Sequence, residues 1–195
     1  MGRAKALLPI GPETFLARIV RTFLEAGVDD VIVVLGHEAD TIAEALAATS
    51  LSARVAVNPQ YDRGQLSSLL TGLAVADRPG VEAILLTLVD VPMVSVSTVR
   101  AVIDCYRAVR APIVRPVSGD RHGHPIAIDR SLFALLRSAD PDAGAKPIVR
   151  AHSSARGDVA VDDEGAFRDV DTAEEYAELI SAGSGGVRAP RPGED

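Results

Sequence analysis

The stretch AILLTLVDVP, residues 83–92, decides how the rest of the chain is read. Residues 83–90 are its most apolar run, ending in a carboxylate, Asp90, and Pro92 stops the run from continuing as a strand. A bounded run of this kind predicts a strand covered on both faces, as in sheets sandwiched between helices. VIVVLG (31–36) and RVAVN (54–58) share that character. The stretches between them are amphipathic. ETFLARIVRTFLEAG (13–27) sets Phe15, Ile19 and Phe23 on one helical stripe with Leu16, Val20 and Leu24 beside it, and Gly27 stands where a C-cap falls. HEADTIAEALAAT (37–49), GQLSSLLTGLAVA (64–76) and SVSTVRAVIDCYRAVR (95–110) also read as helices. Strands alternating with helices imply βαβ units, hence an α/β fold with a parallel sheet.

Beyond residue 111 the rhythm changes. APIVRPV (111–117) and HPIAIDR (124–130) read as strands around the turn-rich SGDRHG (118–123). SLFALLRSA and AKPIVRAH read as short helices, DVAVDDEG (158–165) as a late strand and turn, and DTAEEYAELISA (171–182) as the last helix. The expected organisation is one domain over residues 1–182 and a Gly/Pro-rich disordered tail over 183–195.

The bulk composition narrows the function. With 195 residues, 47% hydrophobic and 24% charged, the chain has an ordinary globular make-up. Its net charge of −7 and lack of any basic run argue against a nucleic-acid surface, while anionic small substrates stay open if positive charge is placed locally. The single cysteine, Cys105, permits neither an internal disulfide nor a cysteine metal site, which fits a cytoplasmic setting. It falls mid-helix beside an apolar stripe, so it reads as a core residue rather than a nucleophile.

In parallel sheets ligands bind beyond the carboxyl ends of the strands, where this chain carries GHE, NPQY and DVP. Asp90 in that position is either a hard oxygen ligand for Mg2+, shared with phosphates and water, or a turn-forming cap. Gly64, Gln65, Ser67 and Ser68 open a helix, where free N–H groups suit an anion or a base edge and equally suit plain capping. Gly36 serves close approach of a ligand or a tight turn. Asp171 is an N-cap with Glu174 three residues on, or a second metal ligand, and Asp169 shares its neighbourhood. His122 and His124 lack a third ligand and make a poor zinc site.

Taken in order, these segments resemble the molybdenum-cofactor nucleotidyltransferases, the MobA-like NTP transferase family, from about residue 1 to 178. KALLPIG (5–11) is similar to the end of that family's Gly-rich signature, LAAGxSxRMGxxK. NPQYDRGQLSSLLTGL, LVDVP, GHP, DAGAK and DVDTAEEY follow in family order. The resemblance implies a three-layer, Rossmann-like, mostly parallel sheet of the nucleotide-diphospho-sugar transferase type. The branch it matches best transfers CMP from CTP to molybdopterin and releases pyrophosphate. By matching position, Lys5 is similar to the lysine that contacts the triphosphate, and Asp90 and Asp171 look like the carboxylates that hold Mg2+. Ser68 matches a base-reading serine, and Gly64, Ser67 and Gly36 go with it on the nucleotide side. Asn58, Gly123 and His124 fall on the acceptor side. The implied partners are CTP, a pterin phosphate and a molybdoenzyme or its chaperone. Met1 matches the methionine inside the signature, so the family's first strand and the LAAGxSxR portion have no counterpart in these 195 residues. The expectation is that either the true chain starts upstream, or the sheet has an exposed, unpaired centre and nucleotide binds weakly or not at all. The other readings are a relative using GTP or a sugar phosphate, and a non-catalytic cofactor-binding protein.

Overall fold

A computed structural model describes residues 4–184 of the protein. The helices come first because they carry the sheet. Thr14 caps α1 (Phe15–Glu25), its hydroxyl accepting from Ala17 N at 3.2 Å, and the stripe expected from the sequence is buried, with Phe15 fully enclosed. Burial of a side chain of that size contributes about 2–3 kcal/mol. The chain then forms β3 (Ile32–Leu35), α2 (Ala39–Ala47), β4 (Arg54–Val57), α3 (Gln65–Ala76), β5 (Ala83–Leu86) and α4 (Val96–Val109). A short hairpin of β1 (Pro9–Ile10) and β2 (Glu13–Thr14) precedes α1.

The second half supplies β6 (Ile113–Ser118), β7 (Arg121–His122), β8 (Ile126–Asp129), the short helices α5 (Phe133–Arg137) and α6 (Lys146–His152), β9 (Asp158–Ala160) and α7 (Ala173–Ser184). α7 runs two residues into the expected tail, and residues 185–195 lie outside the described residues.

Three layers result. α1, α2 and α4 cover one face of the sheet, while α3, α5 and α6 cover the other. β3 and β4 are parallel. β8 runs reversed between β5 and β6, so β5 and β6 share one direction, and β9 joins β6 in parallel. The fold is therefore mixed α/β with a mostly parallel sheet in which β8 and the two-residue β7 run reversed, the three-layer class expected.

β5 ends at Leu86, four residues before the expected end at Asp90. Its partner explains this: Leu86 pairs with Ile126, and the preceding residue, Pro125, has no N–H with which to extend the ladder. Residues 87–90 leave the sheet as a loop and carry Asp90 out to its rim. Among the described residues no strand pairing joins β3 to β5, though both lie against α1 and α3.

Candidate active site

The carboxyl ends of β3 and β5 meet at the turn Lys5–Leu7, where Ala6, Leu7, Leu35 and Val89 share one apolar cluster. That packing holds Lys5 at the rim, beside the loop bearing Asp90. The strap between β9 and α7 closes the site: Val170, fully buried, donates its N–H to Asp90 O at 2.8 Å. Asp169 and Asp171 flank Val170, and both lie close enough to Asp90 to act on its charge. Lys5 Nζ pairs with Asp171 Oδ1 at 2.5 Å, with the Asp171 side chain 60% exposed.

Asp90 carries the unusual electrostatics. Burial pushes its carboxyl above the ordinary value, Asp169 adds to that, Lys5 opposes it, and Asp171 raises it further. Its Oδ1 is buried with no hydrogen-bond partner. A buried, unpartnered carboxylate oxygen among further carboxylates fits a divalent cation. Among the described residues no three His, Cys, Asp or Glu side chains are arranged to hold a metal together. The fit is thus to an ion that takes one or two carboxylates and completes its shell from phosphate and water, the habit of Mg2+.

Asp171 is released from the capping role open to it in the sequence. The cap of α7 is Thr172 with Glu175: Glu175 Oε2 accepts from Thr172 N and Asp171 N, both at 2.8 Å, and Thr172 Oγ1 accepts from Glu175 N at 3.1 Å. That is a capping box one residue later than the Asp171–Glu174 spacing suggested. Asp171's carboxylate is thereby left to Lys5. Asp169, ranked second from the sequence, is the carboxylate that acts most on Asp90. Its signal was present in the Asp-x-Asp spacing around an apolar residue.

His124 lies beside this cluster. Its N–H donates to Ala166 O at 2.8 Å and its Nδ1 lies 3.3 Å from Leu86 O, so the ring proton sits on Nδ1 and Nε2 is an acceptor. Burial pushes the imidazole below its ordinary value, outweighing the Leu86 carbonyl and the nearby Asp169 and Asp90, so His124 is neutral at pH 7. A Cβ on Gly123 would overlap Ala166 O, so this glycine admits the 164–167 loop rather than leaving open space.

The loop after β4 forms a second group. Asn58, 3% exposed, donates to Ser67 Oγ at 2.9 Å and Ser68 Oγ at 3.0 Å and accepts from Gln60 N at 2.9 Å. Its amide is spent holding the loop. Ser67 Oγ lies against Gln60 O and Gly64 O, whereas the Ser68 hydroxyl proton has no partner among the described residues. Gly64 takes φ 92°, a conformation that favours glycine, at the start of α3. Gly36 serves Tyr61: a Cβ there would overlap the tyrosine's Cβ and Cγ. The structure thus brings Lys5, Asp90, Asp169, Asp171 and His124 into one cluster, and Asn58, Gly64, Ser67 and Ser68 into another.

A cavity of about 540 Å³ lies elsewhere, lined by residues including Gly11, Glu13, Arg21 and Thr49. Its two charged groups, Glu13 and Arg21, are bonded to each other at 2.7 Å, so neither is free for a ligand. No helix among the described residues is long and apolar enough to cross a membrane.

Comparison with known proteins bears on this geometry. Residues 1–156 match the MobA-like NTP transferase domain. The chain is 34% identical over 188 residues to nicotine blue oxidoreductase of Paenarthrobacter nicotinovorans, spanning 92% of this chain and 90% of that protein. The crystal structure of Rv0371c from Mycobacterium tuberculosis H37Rv superimposes with a TM-score of 0.77 at 31% identity, covering 93% of this chain and 90% of that one. Rv0371c in complex with manganese superimposes with a TM-score of 0.74, also at 31% identity, covering 92% of this chain and 93% of the other.

Proposed function

The chain belongs to the MobA-like NTP transferase family, and on that premise we propose that it transfers CMP from CTP to the phosphate of molybdopterin, releasing pyrophosphate. The observation that carries the reading is Asp90: a half-buried carboxylate with one buried, unpartnered oxygen, beside one lysine and two further aspartates, on the loop that leaves β5. Manganese bound to a relative of 31% identity supports a divalent cation at Asp90 and Asp171 or Asp169, and Mg2+ is the ion we assign. When bound, that ion neutralises phosphate charge.

In the proposed reaction a phosphate oxygen of the acceptor attacks the α-phosphorus of CTP. A new P–O bond forms there, the bond to the β-phosphate oxygen breaks, and pyrophosphate leaves with the electron pair. No covalent bond to the protein is needed, so catalysis rests on positioning and charge neutralisation. Lys5 exchanges its ion pair with Asp171 for the triphosphate. Ser68, with its hydroxyl proton to give, and the N–H groups opening α3 take the nucleotide, next to Gly64, Ser67 and Gly36. Neutral His124 offers Nε2 as an acceptor on the pterin side, near Gly123, while Asn58 holds the loop between. The setting we assign is the cytoplasm, with a molybdoenzyme or its chaperone receiving the product.

The test is pyrophosphate release with CTP, Mg2+ and molybdopterin. Release requiring all three supports the reading. Release only with GTP, or only with a sugar phosphate, reassigns the substrates within the family. The 34% identity to a relative named as nicotine blue oxidoreductase favours a second reading, redox turnover on the same scaffold. No release with any nucleotide, together with such turnover, overturns the transferase reading.

A further inference from the structure

β5 leaves the sheet at Leu86, so no strand ladder fixes the stretch that carries Asp90. Groups from distant parts of the chain fix it instead. Val91 and Val94 are buried and anchor the stretch by their side chains. The backbone carbonyls beside them are engaged in turn. Val170 N donates to Asp90 O at 2.8 Å, and Arg18 Nε of α1 donates to Pro92 O at 3.2 Å. Met93 O lies against Gly165, where a Cβ would stand 2.1 Å from it.

The Asp90 side chain has no comparable anchor of its own. Its Oδ1 has no partner, and the bond that lowers its proton affinity comes from its own backbone N–H, which moves with the loop. The carboxylate therefore takes its direction from the backbone, and the backbone takes its position from these contacts.

Arg18 is the charged group among them. Arg21, on the same helix, is bonded to both oxygens of Glu13 at 2.7 and 2.9 Å and to Glu25 at 2.9 Å. Arg18 has no carboxylate within ion-pair distance among the described residues, is half-buried, and gives its Nε proton to a carbonyl. A hydrogen bond from a charged donor is stronger than one between neutral groups. The cation that acts on Asp90 through space is Lys5, so Arg18 reaches Asp90 through the backbone. Pro92 makes that link stiff. Its ring locks φ, so a shift of its carbonyl passes back towards Val91 and Asp90 instead of being absorbed.

We propose that Arg18 is a positioning residue of the cation site: by holding Pro92 O it sets the direction in which Asp90 presents its unpartnered oxygen. The role rests on the reading of Asp90 as a ligand of a divalent cation.

The probe is Mn2+ alone, which takes the same oxygen ligands as Mg2+ and is paramagnetic, titrated into the full chain and followed by EPR of the free ion. Arg18→Met keeps the apolar stem and removes the donor. It weakens Mn2+ binding at least about tenfold, the usual loss when a group supporting a metal ligand is removed. Arg18→Lys, whose ammonium still donates, recovers most of that loss. Arg21→Met removes the bonds to Glu13 and Glu25 from the same helix yet leaves Mn2+ affinity within about twofold, because those bonds do not touch the loop. Wild-type affinity in Arg18→Met overturns the proposal, as does equal weakening by Arg21→Met. If Arg18→Met does not fold, as read by near-ultraviolet circular dichroism, Arg18→Ala takes its place with the same two outcomes. Asp90→Asn separates this role from the reading beneath it. Loss of Mn2+ binding in Asp90→Asn with none in Arg18→Met sinks the positioning role alone. Unchanged binding in Asp90→Asn removes the ion from Asp90, and both fall.

Discussion

At the scale of single residues the candidate site turns on one carboxylate. Burial raises Asp90 above the ordinary carboxyl value and Asp169 adds to it, so the native state holds this proton more tightly than the unfolded chain. Its contribution to stability is fully present below the unfolded value of 3.8 and is lost as pH rises through the higher folded value. At pH 7 the charged form costs stability. Asp90→Asn therefore raises the Tm by about 2 °C while lowering pyrophosphate release at least about 100-fold. A variant with unchanged Tm and full turnover removes Asp90 from the mechanism. Lys5 makes a complementary case. Its ion pair with Asp171 is exposed, and such pairs add little to stability. Lys5→Met leaves the Tm within about 1 °C and raises the KM for CTP at least about tenfold, measured by steady-state pyrophosphate release.

At the scale of elements, two local devices hold the site's frame. Asp163 ties the loop before α7 to the start of α4. Its Oδ2 accepts from Ser95 N at 2.9 Å, Ser95 Oγ at 2.8 Å and Thr98 Oγ1 at 2.6 Å. Burial alone would raise this carboxyl, but the bonds from Thr98, Ser95 and Gly165 overturn that and hold it below the ordinary value. The stability it contributes is present above 3.8 and is lost as pH falls through the lower folded value. Asp163→Ala costs about 2–3 kcal/mol in urea denaturation at pH 7, and the difference from wild type shrinks below pH 4. The second device is Gly36, which makes room for Tyr61 at the end of β3. Gly36→Ala costs about 1–3 kcal/mol by overpacking, and adding Tyr61→Gly, which removes the Cβ that the new methyl meets first, restores most of it, a coupling that a double-mutant cycle measures.

At the scale of the whole molecule, the proposed function requires a chain of net charge −7 to bind polyanions. Ligand binding must then rely on Lys5, the N–H groups opening α3 and an added cation, rather than on a general positive field. Binding to the native state raises stability by about 2.7 kcal/mol at a hundredfold excess of ligand over Kd, or roughly 5–10 °C in Tm for a chain of this size. Thermal melts in millimolar CTP check this: a shift with Mg2+ and none without it is the expected pattern. A shift of equal size without any cation removes the metal from nucleotide binding.

The sequence by itself determined the alternation of strand and helix, with it an α/β fold, and the placing of Gly36 and Asn58 at strand ends, whereas it ran the third strand on to Asp90 although β5 stops at Leu86. These follow from hydrophobic period and from Pro and Gly punctuation, which act over a few residues. It implied parallel strands without showing the exception: the run 124–130 reads as a strand, yet only pairing shows that β8 lies reversed between β5 and β6. It also left capping and coordination undivided at Asp171, because both readings need the same residue type at the same spacing. Only the tertiary structure, by giving the cap to Thr172 and Glu175, freed that carboxylate for Lys5. Which carboxylate leans most on Asp90 is likewise settled by packing. Both depend on groups far apart in the chain brought together by the fold, distances that no local pattern encodes.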